Sequence, residues 1–142
     1  MSKMIQNLLE ADIKKFAKPT RDVEIPRLSE LVGEPFVVTL KLLPVSLAEE
    51  IESNNTAIKT DGSIDMKYQR IIDSTLMNAV YDSEGKHLFR NKDLQRKFNA
   101  KTPIDLINEM LLPSEKSALY GEYTEIDNRK GSDAIVKHIK KH

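Results

Sequence analysis

Proline sets the limits of the elements this chain can form. Its ring clashes with the carbonyl four residues back and it has no amide hydrogen to donate, so it does not sit comfortably inside a helix or a central strand. The six prolines fall at 19, 26, 35, 44, 103 and 113. Pro19 stops an N-terminal helix, Pro26 marks an edge strand or a strand end, Pro35 belongs to the turn Gly33-Glu34-Pro35, and Pro44 closes a second strand. Pro103 and Pro113 stand where helices begin.

Between these marks the apolar residues show which period each segment follows. Residues 3–17 predict a helix, with Ile5, Leu8, Leu9, Ile13 and Phe16 near one face and Lys14, Lys15 and Lys18 at the negative end of its dipole. The helix lies at the periphery. Its stripe reads first as a core face, and second as a face that packs on another subunit. From 22 to 42 the period shortens to that of a strand. Val23 and Ile25 alternate with charged residues, and Phe36, Val38, Leu40 and Leu42 share one face opposite Val37, Thr39 and Lys41. A hairpin or small sheet is the simplest reading. Ser46-Leu47-Ala48-Glu49 has the form of a capping box opening a helix to about Ser53. Residues 54–63, with Asp61-Gly62, read as an exposed loop.

The helical period returns from Asp65 to Val80, where Tyr68, Ile71, Ile72, Leu76, Ala79 and Val80 form the stripe of a central core helix. Asp82-Ser83-Glu84-Gly85 ends it in a turn. Asn91 caps residues 92–98, Thr102-Pro103-Ile104-Asp105 opens another helix, and Pro113-Ser114-Glu115 opens a last one that packs through Leu119, Tyr120, Tyr123 and Ile126. The expectation is an α+β fold: a small antiparallel β-hairpin or sheet near the N-terminus, followed by a mostly helical cluster. It forms one domain over 1–128, with a flexible or weakly helical tail over 129–142.

The sequence predicts no catalytic site, no cofactor and no metal. There is no cysteine, which removes thiolate nucleophiles and sulfur-bound zinc. No phosphate-cradling glycine loop, dinucleotide fingerprint or nucleophile elbow occurs. His138 and His142 have helical ligand spacing but no third ligand, and they read as a solvated terminal pair; His87 lies beside a turn without a catalytic partner. Asp61 to Asp65 resembles part of a calcium loop, but Leu76 falls where the closing glutamate is needed. Glu49, Glu50 and Glu52 suit the early turns of a helix. No apolar run reaches the roughly 20 residues a membrane helix needs.

Charge is balanced overall, with 22 basic and 22 acidic residues, but it is unevenly placed. Arg90, Lys92, Arg96, Lys97 and Lys101 accompany a single acid, whereas Asp105 to Asp127 holds six acids and one base. The basic run could touch nucleic acid, but the acids that follow cancel much of its field. Two solvated helix faces that pair with each other, or a bipolar surface that orients a partner, are the equal alternatives.

Three pieces in order carry a family resemblance. They are Glu24-Ile25-Pro26-Arg27-Leu28 followed by Pro35-Phe36-Val37-Val38, then Leu88-Phe89-Arg90-Asn91-Lys92-Asp93-Leu94, then Ala100 to Ile107 with Leu111-Leu112-Pro113-Ser114-Glu115 behind it. Over roughly residues 20–127 the chain resembles the XkdN-like tail assembly chaperones of phages and defective prophages of Gram-positive bacteria. Ser114 stands where glycine is expected after Leu112-Pro113, a mild departure because serine also caps helices. The resemblance implies a non-catalytic protein of the bacterial host's cytoplasm that holds the phage tape measure protein soluble during tail assembly. It also implies a longer, frameshifted form as a second partner. An exposed apolar groove and weak homo-oligomers are the features that would mark this reading against the others. Leu111, Leu112, Tyr120 and Tyr123 are the candidate partner-binding residues, with core packing the more ordinary fate for such side chains. The alternative function is a nucleic-acid-binding adaptor using the basic run.

Overall fold

Val23 and Val38 lie opposite each other in the strand pair that organises the N-terminal half. β1 (Thr20–Glu24) runs antiparallel to β2 (Val37–Lys41), from Thr20↔Lys41 to Glu24↔Val37. These elements belong to a computed structural model that describes residues 2–126; the predicted tail over 129–142, with His138 and His142, lies outside them. The period of two turns Val38 and Leu40 fully inward, while Thr39 faces out and donates to Asp22 Oδ1 at 2.7 Å.

The connection from β1 to β2 is not a turn but a helix, α2 (Pro26–Val32). Pro26 therefore ends the strand by opening a helix, at the position where its missing amide costs nothing. Gly33 closes that helix in the left-handed region, φ 82°, with its amide bonded to Ser29. The Ser29 hydroxyl donates to Glu24 Oε2 at 2.6 Å and accepts from the Phe36 amide at 2.8 Å, which ties the end of one strand to the start of the next.

α3 (Val45–Asn54) follows Pro44 directly. Ser46 forms no capping box. The helix has already begun at Val45, so Ser46 sits inside the first turn, and Ile51 is the buried anchor. The predicted loop holds only the first strand and the turn of a second hairpin, β3 (Thr56–Ile58) with β4 (Ile64–Met66), in register Ala57↔Asp65, and β4 takes residues expected to begin the next helix. Its turn is set by Gly62 at φ 88° and by Asp61 Oδ1, which accepts from both the amide and the hydroxyl of Ser63.

α4 (Tyr68–Ala79) is the predicted central helix, and it runs straight into β5 (Val80–Tyr81), which pairs with β2 to complete the three-stranded sheet β1-β2-β5. Ile72 and Leu76 join the main core with Val38, Leu40, Phe89, Leu106 and Leu119. Ile71 and Ala79 join a smaller core with Leu43 and Ile51. Tyr68, predicted to lie in the stripe, is instead 63% exposed at the helix start.

Three helices close the main core. α5 (Lys92–Lys97) is capped by Asn91, which accepts from the Leu94 amide at 3.0 Å. α6 (Pro103–Met110) is capped by Thr102, which accepts from the Asp105 amide at 3.1 Å. α7 (Pro113–Glu125) starts with the Glu115 carboxylate accepting from the Leu112 amide at 2.8 Å; Ser114 supplies no cap. Tyr120 and Tyr123 of α7 pack against both cores.

The predicted helix over 3–17 is the clearest correction. It breaks into α1 (Lys3–Glu10) and a 3-10 turn at Ile13–Phe16, because the Asp12 carboxylate accepts from the Lys14 amide and starts a new cap. None of its residues is buried, so its apolar stripe is not a core face.

One polar contact crosses the interior. Lys116 of α7 donates to Asp73 of α4 at 2.8 Å and to Asn108 of α6 at 2.7 Å, with side-chain exposures of only 7% and 11% for the charged pair. Removing one partner leaves an uncompensated buried charge, which costs far more than an ordinary surface ion pair. Lys116→Met is therefore expected to destabilise the protein by about 3–5 kcal/mol in urea unfolding, and the double variant Asp73→Leu/Lys116→Met to recover most of that loss.

Candidate functional site

Tyr120 and Tyr123 lie one helical turn apart on α7, with ring centroids 6.2 Å apart. Neither is fully enclosed. They form one wall of a cleft of about 300 Å³ whose other walls come from α3, β4 and α4, including Ile51, Met66, Tyr68 and Ile71, and from Leu43 in the connection between β2 and α3. The Tyr123 hydroxyl accepts from the Leu43 amide at 3.2 Å, so this ring is fixed in place. Burial raises the Tyr120 hydroxyl above the usual tyrosine range, with Tyr123, Glu52 and Tyr68 adding to the effect. The cleft is thus mostly apolar, with the Glu52 carboxylate at its rim.

The second hairpin extends this surface outward. In a strand alternate side chains share a face, so Met66, which lines the cleft, is on the same side as Ile64 and its cross-strand partner Ile58. Ile58 is 79% exposed and Ile64 66% exposed, a paired apolar shelf beyond the tyrosines. Residues 54–63 read as a loop because the strands are only three residues long. The available signal was the pair of apolar ends, Ile58 and Ile64, around Asp61-Gly62.

The other predicted contact residues do not gather here. Leu111 is 5% exposed and belongs to the main core. Leu112 is 48% exposed but sits at the start of α7 and does not line the cleft. The basic run is exposed at all five positions. Two of its members turn to neighbours: Arg90 donates to Asn78 Oδ1 at 2.6 Å, and Arg96 pairs with Asp93. The ring of His87 stacks on Tyr81 at 4.4 Å between centroids, and burial, helped by Arg90 and Lys41, holds its pKa below the ordinary histidine value.

Two acids of α7 pair with arginines of β1 and α2. Glu122 bonds Arg21 of β1 at 2.7 Å. Glu115 takes a two-pronged contact from Arg27 of α2, at 3.0 and 2.8 Å, while the same guanidinium donates to Met110 O at 2.7 Å. Between these bridges, β1 and α7 frame a second groove of about 410 Å³. The Arg27 hydrogen bonds hold the Glu115 carboxyl below its usual range, outweighing the opposing effect of burial. A carboxyl depressed in the folded state stabilises it above the unfolded pKa, about 4.3, and that contribution is lost as pH falls through the depressed value. Glu115→Gln is expected to lower the Tm at neutral pH, with the gap from the parent protein closing in acid. Thermal unfolding across pH checks this.

Among the described residues, no helix is long and apolar enough to cross a membrane. No match was found among curated proteins or among solved structures. The sequence profile of the family described as phage XkdN-like tail assembly chaperone protein matches residues 5–139. That span takes in both β-units, the tyrosine cleft and every described helix apart from the first two residues of α1, and the chain belongs to the XkdN-like tail assembly chaperone family of phages.

Proposed function

We propose that this chaperone binds the phage tape measure protein in the host cytoplasm through the tyrosine cleft and its hairpin shelf, and keeps it soluble until the tail tube forms around it. The observation that carries the reading is the continuity of half-buried Tyr120 and Tyr123 with exposed Ile58 and Ile64. An extended helical client presents apolar side chains at intervals of three and four residues, and a cleft with an adjoining shelf can take successive anchors of that kind. Tyrosine suits such a site because it offers large apolar area at a small cost in rotamer freedom, with a polar tip left for hydrogen bonding. The work is non-covalent: shielding apolar surface requires no bond to be made or broken. A longer, frameshifted product carrying the same domain would present the same surface.

Ile58 and Ile64 are exposed, so polar replacements there leave the cores intact. The double variant Ile58→Ser/Ile64→Ser should keep the parent Tm. Co-expressed with the tape measure protein, it should leave that client in the insoluble fraction, where the parent chain holds it in solution as a salt-tolerant complex. If the variant solubilises the client as well as the parent does, the shelf is not the binding surface. A complex that appears only with nucleic acid present and dissolves with added salt would favour the basic run from Arg90 to Lys101 instead.

A further inference from the structure

We infer that the tyrosine cleft takes a basic side chain of its client, an arginine or lysine whose charge pairs with Glu52 while its stem lies against the rings of Tyr68, Tyr120 and Tyr123. The inference rests on the cleft being the client-binding surface, and it names the chemistry of the segment that enters.

The lining of the cleft has one charged member, and that member is an acid. Glu52 follows the buried anchor Ile51 on α3, so its backbone is held in place while its side chain is exposed. Among the described residues the carboxylate has no hydrogen bond or ion pair. No lysine, arginine or histidine lines the cleft to offset it. Glu52 also borders a shallow hollow with Glu49, so the negative charge continues outward along the exposed side of α3.

Three tyrosine rings meet that charge. The face of an aromatic ring is electron-rich and attracts a cation within about 6 Å of its centroid. The centroids of Tyr120 and Tyr123 are 6.2 Å apart, so a cation seated over the pair can lie within reach of both. Tyr68 borders the same space from the first turn of α4. The Tyr120 hydroxyl feels Tyr123, Glu52 and Tyr68 together, in keeping with four groups around one cleft.

An apolar anchor fits less well. It would take the Glu52 carboxylate out of water without a partner, and an unpaired charge is costly to bury. An arginine or lysine covers the apolar walls with its methylene stem and carries its charge to the rim. One pair enclosed by rings is screened little by salt, which keeps the complex salt-tolerant. The shelf of Ile58 and Ile64 adjoins the cleft, so the matching client segment is a helix with a basic residue beside apolar ones, at intervals of three or four.

Competition for the client tests this. Tagged parent chain is displaced from its co-expressed complex with the tape measure protein by untagged parent or variant. Glu52 and Tyr68 are exposed, so their variants should keep the parent Tm. Glu52→Gln and Tyr68→Leu should each need about tenfold more protein for half-displacement, and Tyr68→Phe, which keeps a ring, much less than that. An apolar occupant gives the opposite pattern: Glu52→Gln competes as well as the parent or better, and Tyr68→Leu competes like the parent. That pattern, found while Ile58→Ser/Ile64→Ser fails to compete, overturns the basic anchor and leaves the cleft and shelf as the binding surface. If the shelf variant and the cleft variants all compete like the parent, both readings fall.

Discussion

A single ammonium group holds three helices in one arrangement. Lys116 reaches from α7 to Asp73 on α4 and to Asn108 on α6, in a region almost closed to water. Burying this pair is costly, and an apolar replacement of both partners would serve packing as well. Its consequence is geometric: any other placement of α7 against α4 strands a charge in the core. That fixes which side of α7 faces inward. Leu119 then enters the main core, Tyr120 and Tyr123 reach the seam between the two cores, and Glu115 and Glu122 meet Arg27 and Arg21. Both the tyrosine cleft and the β1–α7 groove are bounded by α7.

Where one residue type acts locally, the sequence was legible. Asn91 and Thr102 cap the helices their positions predict, the alternation through Val38 and Leu40 marks the inner face of β2, and the stripe from Ile71 to Ala79 marks α4. Where several weak signals compete, it was not. Pro26 and Gly33 bracket α2 with a helix start and stop, but seven residues with one buried side chain carry no visible period. The N-terminal stripe is amphipathic whether it covers its own core or another surface, so periodicity could not show that it covers nothing described here. The candidate cleft was legible only in part. Tyr120 and Tyr123, named from their helical spacing, line it, Leu111 lies in the core, and Ile58 and Ile64 were hidden in strands too short to show alternation. The acids of α7 were seen as a block, but their arginine partners lie about ninety residues away in sequence, 88 for Arg27 and 101 for Arg21, beyond any local pattern.

The proposed work suits a small domain acting in several copies. On that reading each contact with a client longer than the domain can be weak, because neighbours bound along one chain raise one another's effective concentration. None of the five basic residues lines the cleft, and Arg90 and Arg96 are engaged by Asn78 and Asp93.

Hydrogen–deuterium exchange on the chain, alone and in complex with the tape measure protein, tests the central claim most directly. The account predicts added protection in residues 56–66 and around Tyr120 and Tyr123, where the shelf and cleft would be covered. Protection confined to residues 92–101, with the hairpin exchanging as freely as before, would contradict it.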